Sequence, residues 1–539
     1  MKPATKRIDI TMKELQAYLD QARAVLGEDG YEKLTWALET LDYLTQSVED
    51  RETTIRRLRQ MLFGASTEKT NKVVKREAGK AGRDHTEPSQ KKKGHGKNGA
   101  SDYGGAEKIP VAYSSLKPGD CCPDCKEGKV YKLETPAVLI RIRGQAPIGA
   151  RVYELERFRC NLCSKVFTAR APEGVGEEKY DETSASMIAL LKYGRGVPFN
   201  RLEGLQKNMG IPLPASTQWE IVRDTADLIK PVYDELIRQA AQGRVLHNDD
   251  TTMKVLELIR DGPEETAPEK KEGDLSPERT GVFTSGIVST GDGRQIALFF
   301  TGRKHAGENL TDVLAQRASG LGPPIQMCDA LSRNLTKEFE AIVSNCVAHG
   351  RRKFVEVATR FPEECRYVLD VLAKVYKNEA IAKQQKMTPE ERQRFHDAES
   401  GPLMKELEKW FDEQLTEHKV EPNSGLGQAM TYMRTHWGKL TRFLHVPGAP
   451  IDNNLCERAL KKAILHRKGS LFYKTLHGAH VGDLFMSLIH TCELCDANSF
   501  DYLNQLQHHA ADLIQSPAEW MPWSYQPTVT RMTSGSNAP

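Results

Sequence analysis

Two pairs of cysteines constrain the fold of this chain more than any other feature. Cys122 and Cys125 form one C-x-x-C pair, and Cys160 and Cys163 form a second after a segment of strand-like alternation. Four thiolates on two hairpin turns fit one tetrahedral Zn²⁺ ion, which stabilises a module too small to fold on its own apolar core. The pattern predicts a zinc ribbon with these four ligands, although Cys121 could compete with Cys122.

The length of the chain predicts several folded units. A chain of 539 residues is too long for one core, and about three or four units is the natural expectation. The first ten residues lack the apolar core of a signal peptide, and no apolar run reaches the roughly 18 residues of a membrane span. We therefore expect a cytoplasmic protein with reduced thiols and no membrane partner.

The amino-terminal segment has the repeat of a coiled coil. Apolar residues recur there at intervals of seven: Leu34, Leu41, Val48, Ile55 and Leu62. Such a seam predicts self-association as a homodimer or higher oligomer, whereas the alternative is packing within a helical hairpin. The stretch Lys69 to Lys97 follows, with ten Lys and Arg against three Asp and Glu. This composition is typical of a disordered basic arm that binds polyanions, or of a solvated linker.

The pattern from Thr183 to Gln242 is helical. Within it, "FNRLEGLQKNMGIPLPASTQWEIVRD" indicates two helices joined by a turn around Gly210. This is the layout of a helix-turn-helix, which either reads DNA or simply packs in a helical domain.

Strand patterns follow in "GRVLHNDDTTMKVLEL", "GVFTSGIVST", "RQIALFFTG" and "PPIQMCDA", and they predict an α/β sheet with an antiparallel start. Asp249 and Asp250 lie on the first strand, where adjacent side chains point to opposite faces. Asp329 ends a later strand, and Glu457 begins a helix. One carboxylate from each of three elements is what a site for two Mg²⁺ ions requires. Alternatively, Asn454 and Glu457 have the spacing of a capping box.

Basic residues follow two of these segments closely. His349, Arg351, Arg352 and Lys353 open one predicted helix, and a second group follows Glu457: Arg458, Lys461, Lys462, Arg467 and Lys468. Such side chains can hold DNA phosphates as charge-assisted donors, and the alternative for the first group is a solvated helix face. Asn453 and Asn454 either cap the helix or orient Glu457.

Several strings resemble the transposases of the insertion sequence 66 family. They include "RLRQMLFGASTEK", "KGHGKNG", the two C-x-x-C pairs, "KYGRGVPFNRLEGL", "LHNDDT", "CDALSRN", "CVAHGRRKF" and "PIDNNLCERALKKAILHRKGSLF". The resemblance implies a ribonuclease-H-like catalytic core whose Asp, Asp, Glu triad falls on Asp249, Asp329 and Glu457. It also implies two catalytic Mg²⁺ or Mn²⁺ ions and small accessory proteins of the same element.

The expected function is that of a transposase of a bacterial insertion sequence. It would bind the terminal inverted repeats of its element, cut the strands and join them to target DNA, and it would be associated with the nucleoid when bound to DNA. The alternatives are a ribonuclease-H-like nuclease that only hydrolyses, and a catalytically retired DNA-binding protein.

The expected fold is multidomain, α+β and α/β. Its predicted parts are a coiled coil (1–64), a basic linker (65–107), the zinc ribbon (108–171), a helical DNA-binding region (172–242), the two parts of the core (243–360 and 441–500), a helical insertion (361–440) and a carboxyl-terminal helix and tail (501–539).

Overall fold

The structure is a computed structural model, which describes residues 18–21, 23, 31, 34–35, 110–111, 115, 117–133, 145–159, 161, 166–176, 178–260 and 280–535. Most of the predicted coiled-coil seam, from Leu41 to Leu62, lies outside these residues, as do the basic linker and both Cys160 and Cys163. The sheet and the site described below belong to one compact unit, to which residues 78–354 and 371–539 contribute. In the other unit, residues 355–370 include the end of one helix and the beginning of the next.

The described chain contains strands and helices in the following order. The strands are β1 (Arg157–Arg159), β2 (Val166–Thr168), β3 (Val245–Thr252), β4 (Phe283–Gly291), β5 (Arg294–Gly302), β6 (Ile325–Cys328) and β7 (Ile342–Asn345). The helices are α1 (Glu182–Ala189), α2 (Phe199–Asn208), α3 (Ala215–Ala240), α4 (Leu256–Arg260), α5 (Ala306–Leu314), α6 (Val347–Val357), α7 (Pro362–Gln384), α8 (Pro389–Glu399), α9 (Gly401–Thr416), α10 (Gly425–Thr435), α11 (Trp437–Leu440), α12 (Arg442–His445), α13 (Asn454–Ser470), α14 (Leu476–Leu494), α15 (Ser499–His508), α16 (Ala510–Gln515) and α17 (Tyr525–Gly535). A π-helical turn (Leu190–Gly194) and two 3₁₀ turns (Ser332–Asn334 and Pro517–Trp520) complete the order.

Five strands form one mixed sheet in the order β5-β4-β3-β6-β7. The pairs β3–β4 and β4–β5 are antiparallel, whereas β6 is parallel to both β3 and β7. The predicted α/β sheet with an antiparallel start is therefore confirmed. The strand pattern did not predict β7, whose four residues "IVSN" give too short a run for an alternation to be visible.

Helix α14 covers the outer edge of β5. Three side chains spaced one helical turn apart accept the N–H groups that this edge strand would otherwise leave unpaired. Asp483 accepts from Thr301 (2.6 Å), while Ser487 accepts from Phe299 (3.0 Å) and Thr491 from Ala297 (3.1 Å). An open strand edge can pair with another chain. These three contacts, the seam between α14 and β5, satisfy that edge and close one side of the sheet.

The predicted helix pair before the sheet is present as α2 and α3, and Gly210 in the turn has a positive φ of 77°. Helix α3 is 26 residues long, and its residues Val222, Ile229 and Leu236 are fully buried in the main core. The helix therefore supports the sheet as well as forming half of the pair. Among the described residues, none of the helices combines the length and the apolar character that crossing a bilayer requires.

Candidate active site

Asp249 and Asp329 lie side by side at the same end of the sheet. Strand β3 pairs in parallel with β6 up to His247 opposite Met327, and each aspartate lies two residues further along its chain. The amide nitrogen of Asn334 joins them, because it donates to Asp329 Oδ1 at 2.7 Å and contacts Asp249 Oδ1 at 3.3 Å. The carboxyl ends of neighbouring parallel strands are where α/β sheets usually place their ligands.

The electrostatics of Asp249 reflect this crowding. Burial raises the pKa of Asp249 to about 7, and the charges of Asp329, Asp250 and Glu457 add to the effect, whereas the amide N–H of Asp250 opposes it. Crowded carboxylates form a pocket of negative charge that a divalent cation neutralises. The oxygen-only ligands match the preference of Mg²⁺, so these residues fit such an ion.

Asp250 points to the other face of the sheet, as the strand pattern predicted. Its carboxylate contacts His305 Nδ1 at 2.9 Å and the guanidinium of Arg333 at 3.3 Å, and its side chain is only 2% exposed. Arg333 therefore contacts Asp250, whereas the neighbouring residue Asn334 contacts Asp249. Asp250 is neutralised by protein partners, whereas Asp249 and Asp329 face the site.

Helix α13 brings Glu457 to this end of the sheet, and Asn453 holds the beginning of that helix. Asn453 donates from Nδ2 to the carbonyl of Asn248 (3.1 Å), and its Oδ1 lies 3.2 Å from His247 Nδ1. The predicted capping box was wrong: the helix begins at Asn454, and the side chain of the N-cap residue, Asn453, does not cap it. The N–H of Asn454 donates instead to Asp452 Oδ1 at 3.2 Å. Asn453 instead uses its amide to bind strand β3, which leaves Glu457 free of a capping role.

Gly286 permits the close approach of α13 to the sheet. It lies opposite Asp249 in the β3–β4 register, and a Cβ placed there would be 2.9 Å from Leu460 Cδ2 and 3.5 Å from Cys456 Sγ. The thiol of Cys456 donates to the Gly286 carbonyl at 3.2 Å. A side chain at this position would push the helix, and Glu457 with it, away from Asp249.

Glu457 also lies close to the beginning of α6. His349 Nε2 is 3.9 Å from Glu457 Oε1, and one ligand atom each of Cys346, His349 and Glu457 lie within 4.8 Å of one another. Burial raises the pKa of Cys346 to about 12. We did not predict a role for Cys346 from the sequence, although its C-x-x-H spacing with His349 was a usable signal.

The predicted basic residues divide into two groups. Lys462 and Arg467 are engaged within the protein, since Lys462 lies 2.7 Å from Glu493 and Arg467 donates to Thr251 and Thr252. The others lie at the surface or on its margin. Lys353 covers the ring of Tyr432 at 4.5 Å, and the exposed residues are Arg352, Lys353, Arg458, Lys461 and Lys468, with Arg351 half-buried.

The first cysteine pair has the local shape of a metal knuckle. The N–H of Gly128 donates to Cys125 Sγ at 3.5 Å, and this bond, with that of Glu127, lowers the pKa of the Cys125 thiol. The N–H of Cys122 donates to the Gly128 carbonyl at 2.7 Å. The second pair lies outside the described residues, so the four-cysteine zinc site stays a prediction.

Comparison with known proteins places these features in a family. The chain is 24% identical over 388 residues to the uncharacterized protein y4jD of Sinorhizobium fredii, which is 69% of this chain and 71% of that one. It is 23% identical over 440 residues to the uncharacterized protein y4hP of the same organism, which is 76% of this chain and 74% of that one. The profile of the family described as Transposase IS66 family matches residues 179–481, which contain the sheet, the three acidic residues and helices α1 to α13. The chain therefore belongs to the IS66 family of transposases.

Proposed function

We propose that this protein is the DDE transposase of a bacterial insertion sequence, and that Asp249, Asp329 and Glu457 form its catalytic site. The observation that carries the proposal is the amide of Asn334, which joins Asp249 and Asp329 at the ends of neighbouring parallel strands. Asn453 ties the helix that bears Glu457 to the same strand β3. The antiparallel β3–β4–β5 strands followed by two parallel strands support a ribonuclease-H-like core.

Two Mg²⁺ or Mn²⁺ ions held by this triad would activate water and stabilise the charge that develops on the scissile phosphate. The chain's own residues position the triad: Asn334 orients two carboxylates, and Asn453 and Gly286 fix the distance of α13 from the sheet. Because a metal-assisted displacement needs no protein nucleophile, we propose that the freed 3′ hydroxyl attacks target DNA in a second step at the same site.

We propose that the substrate DNA crosses the exposed basic residues beside the triad. Arg458, Lys461 and Lys468 recur on one stripe of α13, and His349, Arg351, Arg352 and Lys353 open α6. Lysine and arginine at the surface can bind phosphates without reading the sequence. Since Lys462 and Arg467 already have protein partners, we assign them to holding α13 in place.

The amino-terminal parts would recognise the ends of the element. We propose a coiled coil that makes a homodimer or larger oligomer, a basic linker, a zinc ribbon with Zn²⁺ on Cys122, Cys125, Cys160 and Cys163, and the helix pair α2–α3 as further DNA contacts. We propose the same domain boundaries for the protein as the sequence predicts.

One assay tests the proposed function. The protein is incubated with Mg²⁺ and a duplex that carries the terminal inverted repeats of its element, and the products are separated for nicked and joined strands. We expect both products. Nicks without joining would identify a nuclease instead, and binding without either product would identify a retired DNA-binding protein.

A further inference from the structure

A second cluster of metal-ligating side chains shares Glu457 with the proposed triad. Cys346 is the residue that directly precedes α6, His349 lies in the first turn of that helix, and Glu457 lies in the first turn of α13. One ligand atom from each residue lies within 4.8 Å of the others. A thiol, an imidazole and a carboxylate are the three side-chain ligands that Zn²⁺ uses in proteins.

Two of these side chains have a buried atom that lacks a partner. Neither His349 Nδ1 nor Glu457 Oε1 has a hydrogen-bond partner, although both atoms are shielded from solvent. Burying such atoms unsatisfied is costly, and a bound ligand removes the cost. Cys346 Sγ accepts the N–H of Asn453 at 3.2 Å, the kind of outer contact that supports a metal-bound sulfur.

We propose that Cys346, His349 and Glu457 bind a thiophilic divalent cation such as Zn²⁺. The cluster is softer than the oxygen-only pair of Asp249 and Asp329, so the two sites would select different ions. Bonds of about 2.0 to 2.3 Å to one Zn²⁺ ion would hold the three ligand atoms closer together than the 4.8 Å within which they lie. The proton of the Cys346 thiol passes to solvent as the sulfur binds the ion, and water completes the coordination.

Occupation of this cluster has a consequence that rests on the proposed function. Glu457 cannot complete the catalytic triad while its carboxylate is bound to an ion between α6 and α13. Zn²⁺ at the cluster is therefore a reversible inhibitor of Mg²⁺-dependent strand cleavage. The inhibition depends on Cys346, which takes no part in the triad.

The binding test uses the full chain and three proteins: the wild type, Cys346→Ser and Cys456→Ser. Cys456 is a matched control, because it is also a buried thiol and adjoins Glu457 but donates to Gly286 on the sheet. Each protein is purified with zinc so that its cysteine pairs are loaded, and is then titrated with further Zn²⁺ in a calorimeter. Cobalt absorption reports thiolate ligation independently.

We expect one additional Zn²⁺ in the wild type and in Cys456→Ser. Cys346→Ser should bind that ion at least about tenfold more weakly, because even loss of an outer partner costs 10- to 100-fold. A thiolate-to-cobalt band should be present in the first two proteins and reduced in the third. Equal binding by all three proteins would overturn the proposal. If Cys346→Ser does not fold, as circular dichroism would reveal, His349→Gln replaces it in the binding test.

The activity test compares nicking with Mg²⁺ alone and with Mg²⁺ plus Zn²⁺ at the concentration that fills the site. Zn²⁺ should inhibit the wild type and Cys456→Ser, while Cys346→Ser should nick normally in Mg²⁺ and resist Zn²⁺. Equal inhibition of all three would remove the inhibitory role of the cluster. If the wild type fails to nick in Mg²⁺, the proposed function fails, whereas the binding titration still decides the Zn²⁺ site.

Discussion

At the scale of the residue, Asp249 and Asp250 are neighbours with opposite surroundings. The Asp249 carboxylate lies among other acidic residues, whereas Asp250 lies between His305 and Arg333. We expect Asp249→Asn to reduce strand cleavage by at least about 100-fold with an unchanged or slightly higher melting temperature, since a crowded negative charge is removed. A gel assay of nicked duplex and a thermal melt measure the two effects.

Asp250→Asn is the matched change, and its expected effects are reversed. The variant loses an ion pair from a buried carboxylate, which should lower the free energy of unfolding by about 1 to 3 kcal/mol. Cleavage measured well below the melting temperature should stay within a few-fold of the wild type. If Asp250→Asn abolished cleavage in a folded protein while Asp249→Asn did not, the wrong aspartate has been assigned to the triad.

Glu457→Gln separates the chemical role of Glu457 from a structural one. Because Glu457 has no capping role in α13, the Glu457→Gln variant should have a melting temperature and DNA binding near those of the wild type. Cleavage should be lost, since the neutral side chain is a poor ligand for Mg²⁺. The control is Asp452→Asn, which removes an acidic charge just before α13 and should cleave normally. Normal cleavage by Glu457→Gln would remove it from the triad.

The contacts around the proposed triad were harder to predict than its three members. Asp249, Asp329 and Glu457 belong to strings that resemble the family, and Asp329 follows a visible strand. Asn334 and Asn453 act through side-chain amide contacts with strand β3, and such contacts have no periodic signal in the sequence. The capping box was predicted from spacing alone, but tertiary contacts of Asn453 decided where α13 begins.

At the scale of the element, Gly286 sets how closely α13 packs on the sheet. Gly286→Val should displace Leu460 and Cys456, because even a single Cβ would lie 2.9 Å from Leu460 Cδ2. We expect a fall in cleavage of about tenfold or more, since small misplacements of a catalytic group are costly. Gly302→Val on β5 is the control, because nothing lies within 4 Å of a Cβ there. Equal cleavage by both variants would show that the packing of α13 tolerates a side chain at Gly286.

The seam between α14 and β5 should depend on pH through Asp483. Burial raises the pKa of Asp483 to about 7, whereas hydrogen bonds from Thr301 oppose the shift. A folded pKa above the unfolded value of 3.8 gives stability that is fully present at low pH and is lost as pH rises through 7. Between pH 6 and 8 the loss should be about 1 kcal/mol. Asparagine can keep both hydrogen bonds with Thr301. In thermal melts between pH 6 and 8, the stability of Asp483→Asn should therefore depend less on pH than that of the wild type.

A surface carboxylate provides the control for that comparison. Asp512→Asn changes a partly exposed group on α16 and should leave the slope between pH 6 and 8 as in the wild type. Profiles of equal slope for the wild type and Asp483→Asn would assign the pH dependence to other groups. The seam itself could not be predicted, because the side chains of α14 that accept from β5 lie about 190 residues away in sequence.

At the scale of the whole molecule, the local distribution of charge indicates more about DNA binding than the net charge of +3 does. Helix α13 places Arg458, Lys461 and Lys468 on one exposed stripe beside the proposed triad, while Lys462 turns inward to Glu493. Composition alone could not distinguish the exposed Lys461 from Lys462, which contacts Glu493. Adjacent lysines differ only once the helix is packed against the rest of the protein. DNA that reaches the proposed triad should release counterions where it contacts Arg458, Lys461 and Lys468, but not at Lys462.

Salt dependence of DNA binding tests this separation. Lys461→Gln and Lys468→Gln should each reduce the slope of log Kd against log salt by about 0.9, because each removes one phosphate contact. Lys462→Gln is the matched control on the same helix: it should leave the slope unchanged and instead lower the melting temperature, since Glu493 loses one of its three cationic or imidazole partners. Fluorescence anisotropy with a labelled duplex between 50 and 200 mM salt, roughly the range over which such contacts are resolved, gives the slopes. A slope that falls for Lys462→Gln but not for Lys461→Gln would place the DNA on another face of α13.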